Sequence, residues 1–135
     1  MNEAKTLAQK ASFISPQLVK EQKRDAWLDL FADNAVLEDP VGVSPFDPTG
    51  LGHRGKAAIA KFYDQIIMGA GTMDFTIHAS YPCGDECANI LVARFTQADG
   101  SVSESPMVAI YKVNAQGKIL SLRAFWDTSR FDQQV

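Results

Sequence analysis

Apolar residues recur at helical spacing at the start of the chain, where Ala4, Leu7, Ala8 and Ala11 share one face. Ser15-Pro16 then offers a capping residue followed by a proline suited to a first helical position, so two or three short helices are predicted before residue 33. In residues 25–32, D-A-W-L-D-L-F-A, the large apolar side chains Trp27, Leu28, Leu30 and Phe31 turn toward a core, and Asp33-Asn34 favours a turn. Residues 35–39, A-V-L-E-D, read as a strand; Pro40 biases Asp39 to extended backbone and sets its carboxylate at a strand end. A loop rich in Gly and Pro follows. Residues 55–68 then form an amphipathic helix bearing Ile59, Phe62, Tyr63, Ile66 and Ile67, stopped by Gly69 to Gly71.

From there the period changes from about 3.6 to 2, with strands predicted at residues 73–82, 88–97, 102–113 and 118–127. Ala98-Asp99-Gly100 and Asn114-Ala115-Gln116-Gly117 are hairpin turns, and connections this short require antiparallel neighbours. Helices, a strand, a helix and four strands make an α+β order in which a curved sheet closes over helices on one face and leaves a conical cavity.

Composition narrows the class. At 135 residues and 14.8 kDa the chain holds one domain, 1–135. With 46% apolar and 21% charged residues it is an ordinary globular chain, not a disordered or fibrous one. The net charge of −3 and the interrupted basic stretch Lys20 to Arg24 leave no nucleic-acid footprint. No apolar run is long enough for a membrane span or a signal peptide, so a cytoplasmic location is expected, with Cys83 and Cys87 as reduced thiols.

Candidate chemistry centres on Asp39, which alternation places on the same side as Ala35 and Leu37, the face turned inward, while Glu38 points outward to solvent. One reading has Asp39 capping its loop by accepting N–H groups near Val41 or Gly42. The other is a general base: a carboxylate at the mouth of an apolar pocket has its charged form disfavoured, so its pKa rises and it can take a proton from carbon near neutral pH. The two histidines are ordinary: His53 is expected to meet loop carbonyls, and His78 lies on the polar side of its strand with Asp74, Thr76 and Ser80. No metal and no cofactor is assigned. No nucleophile-elbow motif occurs, and Ser103, Glu104 and Ser105 form one end of an alternating strand.

Three segments carry a resemblance: L-F-A-D-N-A-V-L-E-D-P-V-G at residues 30–42, H-R-G-K-A-A-I-A-K-F-Y at 53–63 and Y-K-V-N-A-Q-G-K-I-L-S-L-R-A-F-W at 111–126. Together they resemble the ketosteroid isomerases of the nuclear-transport-factor-2-like superfamily, whose conical α+β fold this implies. The resemblance puts Asp39 on the family's catalytic base. It also implies two departures. Counting back from Asp39 brings the family's donor tyrosine to Phe13 to Ser15, and counting back from Trp126 brings its donor aspartate to Ala109. Both oxyanion donors are therefore replaced, with Tyr63 and Tyr111 as candidate substitutes. Phe31, Ala109 and Trp126 match substrate-binding positions of the cavity wall.

The resemblance implies proton transfer on an apolar carbonyl compound, steroid-like or polyketide-like, with a small hydrophobic ligand as partner and neither nucleic acid nor membrane. A cyclase reading uses the same carboxylate for ring closure. A third reading, a ligand-binding or dimeric interaction module, follows from the replaced donors. A homodimer is expected, since Val108 and Ile110 present apolar area on the face opposite Ala109.

Overall fold

The computed structural model describes residues 3–129. Helix α1, Leu7–Lys20, starts where the Thr6 hydroxyl accepts the Gln9 N–H at 3.1 Å. It runs unbroken through Pro16, where a helix start was expected. An interior proline costs about 3 kcal/mol in a helix, and here packing outweighs it: Ala8, Ala11, Ser12, Ser15 and Val19 are all buried on one face. After a left-handed residue, Gln22 at φ 59°, comes the short α2, Arg24–Asp29.

Strand β1 spans Phe31–Glu38 and so begins four residues before the expected start. Asp33 and Asn34 are accommodated inside it, both exposed, by a register shift against β6 between Phe31 and Val36. The two-residue β2, His53–Arg54, pairs antiparallel with β1. Helix α3, Lys56–Phe62, continues as a π-helical turn at Tyr63–Ile67, marked by Met68 N–H bonding the Tyr63 carbonyl at 3.0 Å.

Strands β3 (Thr72–Cys83), β4 (Glu86–Thr96), β5 (Val102–Val113) and β6 (Ile119–Phe125) form the expected antiparallel meander. Strand β1 adds to it parallel to β6, giving a curved sheet of order β2-β1-β6-β5-β4-β3. Gly71 lets β3 begin close against β4: it has φ 86°, and a Cβ there would lie 2.6 Å from the Thr96 carbonyl oxygen. A bulge between Ile77 and Ala79 reverses the phase of β3. Ser80, expected on the polar side with His78, consequently faces inward and bonds Asn89 Oδ1 at 2.6 Å.

Helix α1 lies across β3, β4 and β5, and the core fills the space between. Register then aligns inward residues in rows across the sheet. Leu37, Leu122, Tyr111 and Cys87 form one row, and Ala124, Ala109, Asn89 and Ser80 the next. Asp39, one residue beyond the Glu38–Arg123 pair, comes level with the second row, and the Val41 N–H bonds the Ala124 carbonyl at 2.9 Å.

Candidate active site

A cavity of about 350 Å³ opens between the sheet, α1 and α3, within the size range of small-molecule sites. Small residues make the room: Ala93, Ala109 and Ala124 line it where larger side chains would fill it. Asp39 lines it too, just past the end of β1 and across a cis peptide bond from Pro40. Its Oδ1 accepts the Trp126 indole N–H at 2.6 Å. The loop-cap alternative falls away at Val41, whose N–H goes to Ala124. Burial raises the Asp39 pKa above the usual carboxylate value, while the Trp126 hydrogen bond and the nearby His53 work against that rise. The result is a carboxylate held less acidic than usual inside an apolar chamber.

Tyr111 lines the same cavity from β5, one row deeper than Asp39. Burial pushes its phenol pKa up, the adjacent Ser15 hydroxyl opposes this, and the Asp39 charge adds to it. Tyr111 is therefore a neutral donor, not a base. Ser15, in the segment where the resemblance sought a tyrosine, is buried on α1 and accepts the Trp27 indole N–H at 3.0 Å. Two hydroxyls from opposite walls thus meet near the deep end of the chamber.

Ala109 and Trp126 are where the sequence placed them, on the cavity wall. Tyr63 is not: it packs on Trp27 at 5.4 Å and lines a separate cavity of about 200 Å³ with Arg24 and Ile67. The reason is rotation of about 100° per helical residue, which gives Phe62 and Ile66 to the main chamber and turns Tyr63 away. Phe31 is also withdrawn from the lining. It sits behind Trp27 in an edge contact of 4.7 Å, and Trp27 itself forms the wall. Glu38, expected in solvent, bonds the Arg123 guanidinium at 2.8 Å. His53 stacks on Phe62 at 4.7 Å, and its buried Nε2 has no partner among the described residues, in place of the expected loop carbonyls.

Ser15, Trp27, Phe46 and Ser105 also line the cavity, though the sequence pattern assigned none of them to a site. Phe46, the one aromatic in a loop rich in Gly and Pro, was the one with a visible signal. It reaches Trp126 with ring centres 6.0 Å apart and lines the cavity beside Asp39. Its loop is built around Asp47, whose carboxylate accepts the Gly50 and Gly52 N–H groups at 3.2 and 2.9 Å and the Thr49 hydroxyl at 3.2 Å. Among the described residues no group of His, Cys, Asp and Glu side chains converges on a metal site, and no helix is long and apolar enough to cross a membrane.

No curated protein matches the sequence. Among solved structures, RV0760c from Mycobacterium tuberculosis in complex with estradiol-17beta-hemisuccinate is 36% identical, covering 93% of this chain and 97% of its own, with a TM-score of 0.84. The Delta 5-3-ketosteroid isomerase from Mycobacterium sp. is 38% identical over 92% of this chain and 95% of its own, with a TM-score of 0.84. A computationally designed 17-OHP binder is 35% identical over 93% and 96%, again with a TM-score of 0.84. The profile of the SnoaL-like domain matches residues 13–122. A conical chamber walled by β5, β6 and α1, with one carboxylate at its inner rim, is thus the form this sequence takes, and the chain belongs to the SnoaL-like family of the nuclear-transport-factor-2-like fold.

Proposed function

We propose that the cavity binds a flat, largely apolar carbonyl compound of steroid-like shape and that Asp39 moves a proton between two of its carbons. The observation that carries this is Asp39 itself, a carboxylate made less acidic by burial, held by one indole N–H and facing a largely apolar chamber. In the reaction, Asp39 takes a proton from the carbon next to the carbonyl, and the C–H electron pair moves into an enolate. The same carboxyl returns the proton to the carbon at the far end of the conjugated system, so the double bond shifts and no atom is gained or lost. Tyr111 donates to the enolate oxygen. Two relatives support the ligand class: RV0760c, 36% identical and in complex with estradiol-17beta-hemisuccinate, and the designed 17-OHP binder, 35% identical.

Ala109 contributes no second donor, and a missing oxyanion donor typically removes about 2.7 to 4 kcal/mol of transition-state stabilisation. Turnover of a β,γ-unsaturated 3-ketosteroid is therefore slow. In steady-state assays, Asp39→Asn lowers kcat by about a hundredfold or more and Tyr111→Phe by about tenfold or more. Activity undiminished in Asp39→Asn would remove the base assignment. Tight binding without turnover of any carbonyl compound would favour the second reading, a ligand-binding module, for which Ala109 is the supporting observation.

A further inference from the structure

The chamber has a further polar feature, far from Asp39. Ser105 is the second inward-facing residue of β5, after Ser103; it stands opposite Ala93 and lines the cavity with Phe95 and Met107. It is only 9% exposed, yet its hydroxyl makes no hydrogen bond among the described residues. The residue itself is part of the chamber lining. A buried hydroxyl without a partner forfeits hydrogen bonds that water would supply, a cost that a ligand oxygen placed there removes.

Strand geometry turns this into a ruler. Ser105 and Ala109 are both inward on β5, four residues apart, so they stand about 13 Å from one another along the strand. Ala109 is level with Asp39, and Tyr111 lies one row deeper. The lining between them, Met107, Leu91 and Ala93, is apolar. We infer that Ser105 is a second anchor that hydrogen-bonds an oxygen at the far end of the ligand, so that the cavity selects rigid polycyclic compounds oxygenated at both ends over those oxygenated only at the Asp39 end. The inference rests on the proposed reading of the cavity and specifies its substrate class.

The test is a double-mutant cycle in binding, read by quenching of the tryptophans, since Trp27 and Trp126 both line the chamber. The probes are estradiol and its analogue lacking the D-ring hydroxyl. Ser105→Ala weakens estradiol about five- to tenfold and leaves the deoxy analogue unchanged or tighter, while Ser105→Thr, which keeps the hydroxyl, retains the preference for estradiol. Equal effects of Ser105→Ala on both compounds, or none on either, would overturn the anchor and leave the cavity reading standing. Failure of both compounds to bind the parent chain would overturn the cavity reading and the anchor with it.

Discussion

The Asp39–Trp126 pair shows how one hydrogen bond tunes a base. Burial disfavours the carboxylate and the indole N–H favours it, the two acting in opposite directions on the same group. Trp126→Phe removes the donor while keeping an aromatic wall, so the acid limb of the kcat/KM profile moves to higher pH. An unmoved limb would mean that the titration seen is not that of Asp39. The same shift has a stability consequence. With its pKa raised in the folded state, Asp39 binds its proton more tightly there than when unfolded, so its contribution to stability falls as pH rises from the ordinary carboxylate value of about 4 through the raised one. Asp39→Asn, whose amide oxygen can still accept from Trp126, therefore raises Tm at neutral pH, and the gain vanishes in acid. Thermal scans of both chains across that range check it; equal Tm values at neutral pH would contradict it.

At the scale of elements, the connection between β1 and β2 is a loop only by name. Ser44 and Asp47 exchange backbone hydrogen bonds, both 3.1 Å, and Asp47 collects three further donors with no cation beside it among the described hydrogen bonds and ion pairs. This is a buried carboxylate satisfied chiefly by backbone N–H groups, and it fixes where Phe46 meets Trp126. Asp47→Ala strands those donors and costs about 1 to 3 kcal/mol. It also frees Phe46 from the chamber wall, so ligand affinity falls along with the chemical-denaturation midpoint. A loss of stability with affinity intact would show that Phe46 holds its place without the loop's bonds.

For the whole molecule, the outer face of the sheet carries an apolar row that the fold leaves uncovered. Ile90, Val108 and Phe125 are register neighbours on β4, β5 and β6, exposed by 46, 37 and 38%. A row of this kind suits self-association, and a homodimer through this face is the expected state. Sedimentation of the parent chain at micromolar concentration then gives twice the chain mass, and Val108→Asp gives the single-chain mass with ligand affinity preserved, because the cavity lies on the sheet's other face. A single-chain parent would refute the dimer. Ligand binding raises apparent stability by mass action, about 2.7 kcal/mol at a hundredfold excess over Kd, which gives a screen independent of turnover.

Periodicity and turn chemistry were enough to read the α+β order, the four-strand meander, both hairpins and the placement of Asp39 at an inward strand end, because these follow from local rules: alternation by two, a residue before proline, a glycine after a helix. The family resemblance, not local pattern, was what reached Ala109 and Trp126. What local rules could not decide was which side of a packed element faces the chamber. Tyr63 and Phe62 are adjacent and both apolar enough to be buried, and only the seating of α3 on the sheet gives the cavity to Phe62. Pro16 looked like a helix start until packing of α1 against β3, β4 and β5 outweighed the lost hydrogen bond. Ser80 read as a polar-side serine, whereas Ser105 read only as part of one end of an alternating strand. A bulge in β3 turned Ser80 inward, an effect of strand pairing that no alternation pattern encodes, while Ser105 keeps the alternation of Ala109 and its burial comes from the sheet closing into a chamber.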